Sequence, residues 1–164
     1  MINVVIPMNG QGSRFSEAGY TEPKPLVDVL GVPMVQRALW GFGVGGRYIY
    51  IVNAEQNKKY NYSELLPKIT PNHDVIVLEV DGLTQGAAET VLLAKQYIDN
   101  DDVLITCNSD QIVEWDPNKF LSFAGDDNLD GCIPIFTNAD PKWSYVKTDE
   151  TGLVTEVAEK EVIS

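Results

Sequence analysis

Positive charge is scarce in this sequence: 12 Lys+Arg stand against 24 Asp+Glu, a net charge of −12. Such a chain repels a phosphodiester polyanion and offers few side chains to neutralise one, so nucleic acid is excluded as an expected partner. A small phosphorylated ligand is not excluded, because a few cations or a metal ion set the local field inside a cleft. Cysteine is scarce too. Cys107 and Cys132 are the only two, both in apolar surroundings, which fits reduced, packed thiols of a cytosolic protein rather than a disulfide framework. No apolar run approaches the ~20 residues that span a bilayer, and the first residues lack the basic region, apolar core and small-residue cleavage site of a secretory leader. The expectation is a soluble, cytoplasmic protein with no membrane partner. Internal repeats, low-complexity tracts and linkers are also missing, and 164 residues suffice for one globular domain over 1–164.

What the sequence does have is alternation. Asn3–Pro7, Tyr48–Val52, Asp74–Val80 and Asp102–Cys107 are short apolar runs suited to buried strands, and Gly131–Phe136 reads as a fifth. Between them, helices are expected from Pro33 onward, over Asn57–Leu66, from Gly86 to about Ile98, and from Asp116-Pro117 to about Ala124. Ser144–Lys147 and Leu153–Ala158 read as a hairpin across Glu150-Thr151-Gly152. The four glycines of Gly41–Gly46 read as a flexible connection, and His73 as a solvent residue. Strands alternating with helices predict an α/β protein, a three-layer Rossmann-like fold with a mostly parallel central sheet and an antiparallel hairpin near the C-terminus. In such sheets ligands gather beyond the carboxyl ends of the strands. The loop after the first strand, Gly86 and Asp110 all fall there.

The first loop, Met8–Phe15, lacks the marks of the two commonest phosphate loops. A dinucleotide loop needs a third glycine, and Phe15 stands at that position; a mononucleotide P-loop needs a GK[ST] ending, and this loop runs Gly-Ser-Arg-Phe. What remains is Gly10 and Gly12, an arginine fork at Arg14 and a remote cation at Lys24, which Pro23 and Pro25 are expected to hold in extended backbone. Arginine grips phosphate oxygens bidentately, and lysine acts on them as a point charge.

The run PMNGQGSRFSEAGYTEPKPLVDVLGVPMVQRAL resembles the N-terminal signature of the sugar-phosphate nucleotidyltransferases, or nucleoside-diphosphate-sugar pyrophosphorylases. LTQGAAETVLLA, ITCNSDQ and VAEK continue the resemblance in family order along the chain. It implies an enzyme joining a nucleoside triphosphate to a sugar 1-phosphate, with release of pyrophosphate and Mg²⁺ as cofactor. It further implies that Arg14 stabilises the departing pyrophosphate, that Lys24 holds the α-phosphate and incoming sugar phosphate, and that Asp110 binds the metal. By the same resemblance Asn9, Gly10, Gly12, Gln85 and Gly86 contact the nucleotide, and Glu159 and Lys160 meet the sugar phosphate. Asn9 stands where many relatives carry a small apolar residue. A pyrimidine base is expected; the sugar is unassigned, since Trp143–Val146 departs from the glycine that some relatives place against it. Homo-oligomerisation stays open.

The resemblance also implies that a catalytic domain continues past Ser164, with a second metal-binding aspartate. Two rivals remain. A related glycosyltransferase relies on a D-x-D acid pair, where this chain has Asn108-Ser109-Asp110, and has no use for the G-x-G-x-R loop. A non-catalytic nucleotide or nucleotide-sugar binding domain would shed the phosphate cations, which are retained here.

Overall fold

A computed structural model describes residues 1–126 and 128–164. The chain divides into two compact units, Met1–Pro117 and Asn118–Ser164.

In the first unit, β1 (Ile2–Met8), β2 (Arg47–Asn53), β3 (Asp74–Val80) and β4 (Val103–Thr106) form one parallel sheet in the order β3-β2-β1-β4. Val5 pairs with Ile49 and Ile49 with Ile76, so these residues share one face. Val5, Ile49 and Ile51 there form a core cluster with Ala94, joined by Val91, Tyr97 and Ile98. The last three lie on α5 (Ala87–Leu92) and α6 (Lys95–Ile98). Val4, Ile6, Tyr50 and Val52 alternate to the other face and are fully buried. Helices on that face include α3 (Ala54–Tyr60) and α4 (Tyr62–Ile69), where the Tyr50 hydroxyl meets Thr70 Oγ1 at 2.8 Å just past α4. Apolar side chains on both faces account for the nearly unbroken hydrophobic runs of β1 and β2.

α3 and α4 occupy the stretch where one helix over Asn57–Leu66 is expected. Asn61 takes left-handed backbone, φ 53° and ψ 50°, and breaks it. Buried Asn57 ties the joint together: its Nδ2 donates to Ser63 Oγ and to Glu79 Oε1, each at 2.8 Å, and its Oδ1 accepts from Ser63 N at 2.9 Å. The expected helix after Gly86 is likewise two pieces, α5 and α6. α2 (Met34–Trp40) follows Pro33 as expected, burying Val35, Ala38 and Leu39.

Two further expectations need correcting. The glycine run before β2 is a packed corner, because a Cβ on Gly46 would run into the carbonyl oxygen of Ile2. His73 is half-buried, its ring 4.7 Å from that of Tyr48.

α7 (Pro117–Ala124) begins at the last residue of the first unit. In the second unit, β5 (Ser144–Thr148) and β6 (Val154–Glu159) pair antiparallel with Tyr145 opposite Ala158. The Asp149 carboxylate closes the turn by accepting from Thr151 N, Thr151 Oγ1 and Leu153 N at 2.7–3.0 Å. The expected fifth strand, Gly131–Phe136, does not form. Pro134 lacks the N–H a ladder needs, and Ile133, Ile135 and Phe136 are 60–65% exposed. Among the described residues no helix is long and apolar enough to cross a membrane.

Candidate functional site

The carboxyl ends of β1 and β4 lie side by side, because Val5 pairs with Thr106. The loops leaving them carry the chemistry. After β1 the chain runs through Asn9–Gly12 into α1 (Ser13–Glu17), a short helix inside what reads in sequence as an irregular loop. Gly12 has φ +62°, and a Cβ there would come within 3.1 Å of Lys24 Cβ. Glycine therefore serves twice at this position, for the left-handed backbone and for the close approach of Lys24. Gly12 O accepts from Phe15 N at 2.9 Å and starts α1, on which Arg14 stays exposed with no ion pair among the described residues.

Lys24 opens a single 3₁₀ turn, Lys24–Leu26, closed by Leu26 N donating to Pro23 O at 2.8 Å. The expected extended backbone holds at Pro23, with ψ 148°, and ends there. The turn aims Lys24 Nζ at Asp110, 2.5 Å from Oδ2. Asp110 itself follows β4 after Cys107-Asn108-Ser109, of which Ser109 is buried. Cys107 extends the β4 ladder by donating its N–H to Val5 O at 3.0 Å, and burial pushes its thiol up to about 12. A thiol shifted in this direction carries little thiolate, which is the reactive form. Both cysteines are free.

Two clefts flank the first loop. One, of about 340 Å³, is lined by Asn9, Gly10 and Gln11, by Thr84, Gly86 and Thr90, and by Asn108. Its second wall is internally bonded: the Thr90 hydroxyl donates to Gly86 O at 3.0 Å and lies 2.5 Å from the Thr84 hydroxyl. A hydroxyl has one proton to give, so Thr84 is the donor of that pair. Gly86 is extended, φ 176°, and Gln85 N donates to Glu89 Oε2 at 2.5 Å. The other cleft, about 280 Å³, is lined by Gln11, Gly12, Glu22, Lys24, Lys59 and Tyr60 among others. Gln11 borders both.

The structure thus brings Asn9, Gly10 and Gly86 to one cleft, Gly12 and Lys24 to the next, and Lys24 to Asp110. Gln85 adjoins the first cleft in sequence but does not line it. Glu159 and Lys160 belong to the second unit, where they pair with each other at 3.0 Å, and Ser144 Oγ donates to Glu159 Oε2 at 2.5 Å. Those contacts, Ser144 foremost, hold the Glu159 carboxyl below its ordinary value. Thr90 and the Lys24–Asp110 pair escaped sequence reasoning. Thr90 had a signal, since it lies four residues past Gly86 at the spacing of a helical first turn.

Residues 3–161 match the nucleotidyl transferase family, and the chain belongs to it. Over 123 residues it is 28% identical to the bifunctional protein GlmU of Methanocaldococcus jannaschii, covering 74% of this chain and 28% of that protein. The chain therefore spans under a third of the length of this curated relative. Among solved structures, the nucleoside-diphosphate-sugar pyrophosphorylase from Vibrio cholerae RC9 superposes with a TM-score of 0.76 at 27% identity, over 98% of this chain and 68% of that one. HddC from Yersinia pseudotuberculosis, complexed with GMP-PN, shares the fold at a TM-score of 0.71 and 23% identity, over 97% of this chain and 69% of that one. The α/β fold with its parallel sheet and C-terminal hairpin is the one expected for sugar-phosphate nucleotidyltransferases.

Proposed function

We propose that the chain joins a nucleoside triphosphate to a sugar 1-phosphate, giving a nucleotide sugar and pyrophosphate by in-line attack at the α-phosphorus. The observation that carries this reading is the meeting of Lys24 and Asp110 at 2.5 Å beside two loop-lined clefts, within a family of nucleotidyl transferases. Transfer at phosphorus asks a protein mainly for positioning and charge compensation. Asn9, Gly10 and Gly86 at one cleft, Gly12 at the next and Gln85 beside Gly86 in sequence are assigned to the nucleotide, with a pyrimidine base expected. Lys24 holds the α-phosphate and the incoming sugar phosphate. Arg14, exposed and without an ion pair among the described residues, closes on the departing pyrophosphate as a bidentate donor. Glu159 and Lys160 are assigned to the sugar phosphate.

Among the described residues no three His, Cys, Asp or Glu side chains gather as an all-protein metal site. Mg²⁺ does not require one: it keeps several waters and is held by one or two carboxylates plus substrate phosphates. The single accessible carboxylate of Asp110 suits that mode. When bound, the ion would neutralise charge on the phosphate oxygens.

The test is product identity. Incubation with Mg²⁺, a panel of nucleoside triphosphates and a panel of sugar 1-phosphates should yield a nucleotide sugar detectable by mass spectrometry for at least one pair. Nucleotide binding with no product from any pair would transfer the assignment to a nucleotide-binding domain without turnover.

A further inference from the structure

The two faces of the β5–β6 hairpin differ. On one, Tyr145 is buried opposite Ala158, its hydroxyl donating to Asp140 O at 3.0 Å. The other carries Ser144 and Val146 from β5 and, directly across the ladder, Glu159 and Val157 from β6. Ser144, Glu159 and Val157 are exposed there, and Val146 is half-buried. Apolar surface with a few fixed polar groups is what orients a small ligand. A sugar matches it, with hydroxyls along its edge and C–H groups on its face.

Ser144 donates to Glu159 Oε2 at 2.5 Å. The one proton of the hydroxyl is thereby spent, so Ser144 Oγ has only lone pairs left to offer, and the carboxylate oxygen beside it keeps a further one. Successive side chains of a strand point to opposite faces, yet Lys160 Nζ lies 3.0 Å from Glu159 Oε1. Lys160 reaches it from left-handed backbone, φ 55°, a conformation that strains a non-glycine residue and gathers at ligand clamps. One end of the open face thus holds two adjacent acceptors and a cation.

We propose that Ser144 is a specificity-determining residue for the sugar phosphate: Ser144 Oγ and Glu159 Oε2 accept from two neighbouring hydroxyls of one sugar ring, while Lys160 meets the phosphate. The inference rests on the assignment of Glu159 and Lys160 to the sugar phosphate given above. The substrate class it names is a sugar 1-phosphate with a free vicinal diol. A ring whose hydroxyl at either place is missing or capped leaves Ser144 or Glu159 unmet. Alanine at 144 removes one of the two acceptors, whereas threonine keeps the hydroxyl in a residue suited to a strand.

The experiment measures dissociation constants of hexose and pentose 1-phosphates by calorimetry, with Mg²⁺ and a non-hydrolysable nucleoside triphosphate present. It then measures those of the monodeoxy analogues of the tightest ligand, for the wild type, Ser144→Ala, Ser144→Thr and Glu159→Gln. Ser144→Ala should weaken the parent ligand about two- to tenfold and leave the affinity of one monodeoxy analogue unchanged, as expected when side chain and hydroxyl are partners. Glu159→Gln should show the same insensitivity for the analogue lacking the neighbouring hydroxyl, and Ser144→Thr should bind like the wild type. If Ser144→Ala weakens the parent and every analogue alike, or none of them, Ser144 touches no hydroxyl. If both variants couple to the same hydroxyl, Ser144 acts only through Glu159 and the diol reading is overturned. If the wild type binds no member of the panel, the assignment of this hairpin to the sugar phosphate fails, and the role of Ser144 with it.

Discussion

Lys24 Nζ lies 2.5 Å from Asp110 Oδ2, so the cation proposed for the phosphates and the carboxylate proposed for the metal neutralise one another before either ligand arrives. Their side chains are 33% and 29% exposed, so solvent screens the pair and it contributes only about 0–1 kcal/mol to stability. Lys24→Met should therefore leave the melting curve nearly unchanged. The same substitution frees Asp110 of a competing charge. Mn²⁺ binding without nucleotide, followed by electron paramagnetic resonance, should tighten by up to about fivefold, as ~1 kcal/mol implies. Turnover should fall by about 10²–10³-fold, the usual cost of removing one aimed charge donor. A large loss of stability with no gain in metal affinity would show that the pair is a structural tie.

Gly12 and Gly10 should differ sharply on conversion to alanine. At Gly12 the left-handed backbone alone costs about 1–2 kcal/mol, and the new methyl meets Lys24 Cβ at 3.1 Å. At Gly10 nothing lies within 4 Å of the added carbon. Thermal melts should place Gly12→Ala about 2–8 °C below the wild type, with weakened nucleotide binding as Lys24 is pushed aside. Gly10→Ala should melt near the wild type.

Asn57 holds α3, α4 and β3 through three hydrogen bonds. Asn57→Ala leaves Ser63 N–H and Glu79 short of partners and should cost about 2–3 kcal/mol in urea unfolding. Asn57→Asp keeps the acceptor for Ser63 N–H but sets a second carboxylate against Glu79 in place of a donor, and it should also lower the urea midpoint.

The hairpin carries a pH signature. Hydrogen bonds from the Thr151 side chain and nearby backbone hold Asp149 below its ordinary 3.8, and Ser144 followed by Lys160 holds Glu159 below 4.5. A depressed carboxyl pKa contributes stability above the unfolded-state value and loses it as pH falls through the folded-state value. Amide exchange in β5 and β6 should thus be independent of these groups above about pH 5 and lose protection as pH drops below 4. Asp149→Asn should remove the Asp149 share of that dependence.

How much of this was legible in the sequence depends on how local the cause is. β1, β2 and β3 announce themselves because a strand covered on both faces must be apolar at nearly every position, and Asn3–Pro7 and Tyr48–Val52 are. Gly12 and Arg14 stand out because the loop lacks the glycine and the GK[ST] ending of commoner phosphate loops. Gly131–Phe136 misleads because Ile133, Ile135 and Phe136 have strand propensity, while pairing depends on a neighbouring edge and on Pro134. The break at Asn61 hides in a stretch whose helical spacing continues through it; asparagine tolerates left-handed backbone without advertising it. The Lys24–Asp110 contact joins residues on two different loops, and no periodicity records such a pairing. It follows from the β1–β4 register.

The central claim is that Arg14, Lys24 and Asp110 act on a triphosphate cleaved between its α- and β-phosphates. The most direct measurement is Mg²⁺-dependent pyrophosphate release, from the most active pairing of nucleoside triphosphate and sugar 1-phosphate, by the wild type, Arg14→Ala and Asp110→Ala. Release that requires both substrates and falls at least about 10²-fold in each variant is the predicted result. No release from any pairing, or release indifferent to both substitutions, would contradict it.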